Sequence, residues 1–416
     1  MFLGEQKKIL LVLCLVTICC VRAERNMKEL KKQAMTHNEE QVAKAIQTED
    51  GDIFDCVDIK SQPTFDHPVL RNHTIQVSRF IASPMHLEKY LSRSIEVALN
   101  LMEPTSFPTD VGNGSSTLQD TKFESTIRSV VSCPSGTVPI WRSGHEHPRV
   151  NLKELIQKIS TRNTTQSLVQ HNSVAGLSRG VDIYGTRVSI SVYAPETWGT
   201  QDKNGGLTTI VNGNYYDKAQ TNAVGAGWFV WQDAGGDKAA RFHIFSANGD
   251  KQCWDFQCPG FVLTNSAIRI GGRLSPISRY KGMQYDLTTY IFRDLNGNWW
   301  LTVGANNGIV GYWPSSLFPT LKNKGTIGYW GGMVDGPTVR VRPPPMGSGH
   351  FASEGDGKAA YCRNIKVVTA DNKAVIPWSF EFETIADRPR CYTVGNRASE
   401  KDGIYFNWGG PGQCIL

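Results

Sequence analysis

From Val181 onward the chain follows a period-two pattern, and this restricts the region to β-structure. The run Thr186-Arg187-Val188-Ser189-Ile190-Ser191-Val192-Tyr193-Ala194-Pro195 alternates cleanly until it meets proline. Successive strand side chains point to opposite faces, so such a run presents one apolar row to a core. Similar short runs follow, separated by Asn212-Gly213, Asn248-Gly249, Gly271-Gly272, Asn296-Gly297, Asn307-Gly308 and Gly331-Gly332, which read as turns. No long helical pattern interrupts them. The expected architecture for 171–416 is therefore an antiparallel β-sandwich or barrel. Ten of the eleven tryptophans fall at or after Trp198, enough to pack a core and to line an open sheet face as well.

Residues 24–170 have a different texture. Glu24–Gln47 is charged with apolar residues at helical spacing and stops at Gly51, and His86–Met102 repeats the helical spacing. Pro104–Asp120 is rich in Pro, Gly, Ser and Thr and reads as a loop. A smaller α+β region is expected to precede the β domain. Ahead of it, Lys7 and Lys8 introduce the apolar run Ile9–Val21, and Val21-Arg22-Ala23 has the small residues of a cleavage site. Residues 1–23 thus read as a signal peptide, since thirteen apolar positions are too few to span about 30 Å of hydrocarbon. Secretion agrees with the cysteines, of which seven of ten remain after cleavage: Cys56, Cys133, Cys253, Cys258, Cys362, Cys391 and Cys414. Cys253-x4-Cys258 has the form of half a zinc site or of a local disulfide. With no matching Cys/His pair elsewhere, the disulfide is the better reading. Sequons at Asn72, Asn113 and Asn163 all lie before residue 170.

Composition and motifs exclude more than they assign. Net charge is +6 without any block of five basic residues, so nucleic acid is not an expected partner. No stretch after the signal is long and apolar enough to span a bilayer. The chain has no Gly-x-Ser-x-Gly elbow, Walker loop, His-Glu-x-x-His or dinucleotide fingerprint. His145-Glu146-His147 sits in a loop between Gly144 and Pro148 and is not read as a metal site, and no cofactor is expected. His350, among glycines, suits a structural hydrogen bond better than proton transfer.

Several ordered motifs carry a resemblance. Asp50-Gly51-Asp52-Ile53-Phe54-Asp55-Cys56-Val57, Gln62-Pro63-Thr64-Phe65-Asp66-His67-Pro68 and Ser132–Ile140 resemble the activation-peptide region of the neprosin family of plants. Ala226-Gly227-Trp228, Gly260-Phe261-Val262, Gln284-Tyr285-Asp286, Gly311-Tyr312-Trp313-Pro314, Trp330-Gly331-Gly332, Gly347–Phe351 and Gly409-Gly410-Pro411-Gly412 are similar to its catalytic domain, in order. The resemblance implies a glutamic peptidase on a β-sandwich, cleaving near proline and made as a zymogen. It also implies 24–170 as the activation region and 171–416 as the catalytic-like domain. Together with spacing, it suggests the disulfides Cys56–Cys133, Cys253–Cys258 and Cys391–Cys414, leaving Cys362 as a buried thiol.

The family's chemistry rests on two glutamates, one a general base toward water and one a protonated donor to the carbonyl oxygen. By resemblance they map to Gly225, just before Ala-Gly-Trp, and to Met333, just after Trp-Gly-Gly. Glycine has no side chain, and a thioether neither donates nor usefully accepts a proton. Asp335, one residue pair or about 6.5 Å along the strand from Met333, is the nearby carboxylate that would have to stand in. The expectation is a secreted pseudo-peptidase whose cleft, lined by Trp228, Tyr285, Tyr312 and Trp330, binds a proline-rich peptide or protein. The alternatives are an acid-pH peptidase with displaced carboxylates and a glycan-binding sandwich. The apoplast is the expected location, with the vacuole as an alternative.

Overall fold

The computed structural model describes residues 42–76, 102–110, 132–142, 172–214, 217–249 and 251–414. Residues from Lys44 onward form one unit. The signal peptide, the stretch 24–41, most of His86–Met102, the His145–His147 loop, Asn113 and Asn163 lie outside the described residues.

The β domain consists of two sheets packed face to face. One has seven antiparallel strands in the order Lys251–Trp254, Ala240–Asn248, Asp217–Trp231, Lys203–Asn214, Ile327–Asp335, Asn172–Arg179 and Glu383–Ala386. The other is centred on Asp286–Arg293, Gly185–Ser191 and Ala360–Val368. Alternation sorts every strand of the seven-stranded sheet. Ala226, Trp228 and Val230, Ile210, Phe242 and Ile244, and Trp330 and Val334 face inward and join Val188, Ile190, Leu287, Ile291 and Leu301 of the other sheet in one core. The expected antiparallel, mainly β architecture is what the chain adopts.

Two sequence expectations change. Val42–Gln47 is a strand, not the end of a helix, and belongs to a three-stranded sheet with Ile53–Asp58 and Thr137–Trp141. Gly51, at φ +86°, turns the chain between the first two of these strands. Asn212-Gly213 and Gly331-Gly332 are strand interior rather than turns. At Gly332 the reason is steric: an added Cβ would lie 2.2 Å from the Trp408 ring and 2.7 Å from the Met346 sulfur. The missing side chain is what lets Trp408 enter the core.

The three disulfides suggested by the resemblance are present, and Cys362 is a buried free thiol whose pKa is pushed well up by desolvation. That thiol is accordingly inert.

Gly332→Ala should therefore destabilise the chain by about 1–3 kcal/mol through overpacking, even though alanine usually favours a folded backbone over glycine. Thermal or urea unfolding of the variant measures this.

Candidate functional site

Gly225 and Met333 lie on the outer face of the seven-stranded sheet, away from the sandwich core. Register places them there. Gly225 pairs with Thr209, which pairs with Tyr329, while Met333 pairs with Gly205, which pairs with Phe229. Residues directly opposite in a ladder share a face, so both positions project to the same side with Lys203–Asn214 between them.

That face is an apolar layer. Val174, Leu207, Phe229, Trp231, Phe245, Trp254, Tyr329 and Met333 form a second core of their own, each at most 1% exposed. Trp254 packs against Phe229 and Phe245 with ring centroids 5.0 and 5.1 Å away. Gly225 belongs to this packing. A Cβ built there would come within 2.2 Å of the Phe245 ring and 2.6 Å of the Thr208 carbonyl oxygen. The Phe245 ring thus fills the volume that a side chain at 225 would need.

Polar groups remain on this face, and its acidic side chains are paired with neighbours. The Asp335 carboxylate lies 3.1 Å from the Lys203 ammonium, both side chains being at most 4% exposed. Lys203 also sits 4.5 Å over the Trp231 ring. Desolvation lowers the Lys203 pKa, and Asp335 opposes that fall by favouring the charged amine. As the counter-ion of a buried amine, Asp335 is poorly placed to shuttle protons.

Farther across the face, His243 pairs in register with Gly227 and holds Asp255 through Nδ1 at 2.7 Å. Phe229, Trp231 and Trp254 surround the imidazole at 6.1–6.4 Å, and its Nε2 has no hydrogen-bond partner among the described groups. Sequence reading missed this pair. Its only trace is a histidine in the alternating run Ala240–Asn248 and an aspartate twelve residues on, inside the Cys253–Cys258 loop.

The N-terminal region reaches the rim of the same face. Asp52 grips Arg241 with both oxygens, at 2.7 and 2.9 Å, and Arg241 is opposite Phe229 in the ladder. Asp237 bridges Arg241 and Arg273 at 2.7 and 2.6 Å. Burial alone would raise the Asp237 pKa, but these two guanidiniums hold it below the usual value. Further along, Gln62 bonds both the carbonyl and the N–H of Leu263, and Thr64 bonds the Phe261 carbonyl. The Asp50–Val57 and Gln62–Pro68 segments are therefore docking elements.

The four aromatics expected to line one cleft do not come together. Trp228 and Trp330 are fully buried between the sheets, donating to the Ser191 carbonyl at 2.9 Å and the Thr186 hydroxyl at 2.8 Å. Tyr312 belongs to an apolar cluster of the other sheet and bonds His73 and the Gln76 N–H at 2.8 and 2.9 Å. Tyr285 is half-buried beside the sandwich core. The correction follows from parity: Trp228 and Trp330 are an odd number of residues from Gly225 and Met333, so they face the other way. Elsewhere, His350 stacks on Tyr280 at 3.9 Å and pairs with Glu354 at 2.8 Å, as a structural side chain would. Asn72 is exposed. Among the described residues no His/Cys/Asp/Glu cluster has metal-ligand geometry.

Two substitutions probe this face. Asp335→Asn leaves Lys203 buried and uncompensated and should cost about 3–5 kcal/mol of stability in equilibrium unfolding. Gly225→Glu forces a charged side chain against Phe245 and should lower stability by at least about 2 kcal/mol. Adding Phe245→Ala to the Gly225→Glu chain should recover part of that loss.

Solved structures of Scytalido-glutamic peptidase with a peptide-based transition state analog and of SCP-B, a member of the Eqolisin family of peptidases, in complex with the tripeptide Ala-Ile-His are distantly similar. They share 9% and 10% identity, cover 58% of this chain and 98% and 99% of their own, and reach a TM-score of 0.30. A similarity this low says nothing about the chemistry of this chain. The sequence itself matches the Neprosin activation peptide over residues 45–176 and Neprosin over residues 203–411, half of the chain. With the Asp50–Val57 landmark held to the sheet that carries Gly225 and Met333, and Gln62–Pro68 held to the other sheet, the chain belongs to the neprosin family.

Proposed function

We propose that this protein is a secreted pseudo-peptidase, one that keeps the neprosin architecture and binds or regulates peptide partners without cutting them. A single observation carries the reading: Phe245 fills the side-chain volume at Gly225, and Met333 lies in the same buried apolar layer. General acid–base hydrolysis needs two titratable groups within reach of water and of the scissile carbonyl. The two family positions supply none.

The second reading, an acid-pH peptidase with displaced carboxylates, would have to run through Asp335. Its ion pair with Lys203 speaks against it, because using that carboxylate as an acid would strand a buried ammonium.

Secretion is supported by the N-terminal Lys-apolar-Ala23 segment and by three disulfides, which persist in oxidising compartments. The apoplast is the proposed location, with the vacuole as the other. A proline-rich peptide or protein is the proposed partner. In the full-length chain the outer face is buried, and Asp52 is fixed to its rim through Arg241. Peptide binding there is therefore weakened by the fraction of molecules in which the face is open.

The deciding experiment incubates the purified full-length chain with a proline-rich peptide across pH 2–6, with inhibitors of other protease classes present. The expected result is no cleavage above the buffer blank and no self-processing of the chain near residues 150–180. Cleavage that disappears in Asp335→Asn, in a variant still folded by circular dichroism, would establish the displaced-carboxylate reading instead.

The latch at the rim adds a pH expectation. The Asp237 pKa is depressed in the folded chain, so its stabilising contribution is present above the unfolded value near 3.8 and is lost only as pH falls through the lower folded value. Arg241, to which Asp52 is bound, should accordingly keep its Asp237 support at pH 5, so the N-terminal region should remain protected from added trypsin. Asp52→Asn, which weakens the grip on Arg241, should make it cleavable at that same pH.

A further inference from the structure

We propose that Trp378 and Phe380 form a stacking platform for a neutral polysaccharide, separate from the outer face of the seven-stranded sheet. The two side chains are 71% and 74% exposed, whereas every other tryptophan among the described residues is buried or half-buried. Their rings lie within 16° of parallel with centroids 6.2 Å apart, which makes an apolar strip of two near-parallel rings.

The backbone beneath the strip is held rigidly. Trp378 and Phe380 flank Ser379 in the turn Ser379–Glu381, which is closed by Glu381 N–H to the Trp378 carbonyl at 3.0 Å and by Trp378 N–H to the Glu381 carboxylate at 2.9 Å. Arg179 holds the other oxygen of that carboxylate at 3.1 Å. The next residue, Phe382, is 2% exposed and packs edge-on against buried Trp330 at 5.3 Å. The turn that carries the two rings is thus fixed, so little backbone entropy remains to be lost on contact with a ligand.

Chemistry narrows the ligand. The electron-rich faces of aromatic rings attract C–H groups, and sugar rings present C–H faces edged by hydroxyls. The charges beside the rings, Arg179 and Glu381, are of opposite sign and paired, so the surroundings favour a neutral ligand over an anionic bilayer. An extended peptide is disfavoured because it needs backbone donors. The N–H groups of Trp378, Glu381 and Phe382 are spent inside the turn, and Pro377 has none. A polysaccharide needs only the ring faces and the side-chain edges.

The test is depletion of full-length protein from solution by microcrystalline cellulose and by insoluble xylan, compared with a Trp378→Ala/Phe380→Ala double variant. Both residues are exposed, so the variant should fold, which circular dichroism and thermal melting verify. The proposal expects capture by at least one of the two polysaccharides and an affinity at least about tenfold weaker in the variant. Equal capture of both proteins, or capture of neither, overturns it. So does binding of a proline-rich peptide or of anionic vesicles, rather than polysaccharide, that is lost in the double variant.

Discussion

The structure depends on an apolar layer on each face of one seven-stranded sheet. Strand alternation gives Asp217–Trp231 and Ile327–Asp335 two apolar rows apiece, one for the sandwich core and one for the outer face. Trp228, Trp330 and Trp408 fill the inner layer, with Gly332 making room for the last of them. Phe229, Phe245, Trp254 and Met333 fill the outer one. With apolar burial contributing about 25 cal/mol per Å², an outer layer of this kind adds to stability rather than opposing it. A pair of carboxylates in the same place would have to be desolvated.

The same arrangement leaves no place for the carboxylates that the resemblance would put at 225 and 333. A glutamate at 225 and the Phe245 ring claim the same volume, and a glutamate at 333 would replace the apolar Met333 contacts with a buried charge. The remaining charges on the face are handled as pairs, Lys203 with Asp335 and Arg241 with Asp52 and Asp237. Buried groups treated this way hold the fold and its N-terminal region in register rather than carry out proton transfer.

Much of this was legible in the sequence. The alternation in 186–195 and the Asn-Gly turns point to an antiparallel sandwich, whereas only the ladder register puts Gly225 and Met333 on one face. The aromatic cleft does not form because its two tryptophans are core residues. Parity alone places Trp228 and Trp330 on the opposite face from Gly225 and Met333. What lay beyond reach was long-range pairing: His243 with Asp255, Lys203 with Asp335, and Asp52 with Arg241 are separated by 12, 132 and 189 residues. No local pattern encodes such contacts, because tertiary packing alone brings them together. The helix expected up to Gln47 failed for a related reason, since sheet pairing overrode a weak helical periodicity at Val42–Gln47.

Phe245 occupies the side-chain space at Gly225, which leaves the face no room for a glutamate there. The most direct measurement is a nuclear Overhauser experiment on chain labelled selectively at glycine and phenylalanine. The account predicts strong cross-peaks between the Gly225 α-protons and the Phe245 ring, with the Gly225 signals shifted by the ring current. Absence of those cross-peaks, with cross-peaks instead between the Phe245 ring protons and water, would mean that the face is an open trough and that Phe245 does not fill the space at Gly225.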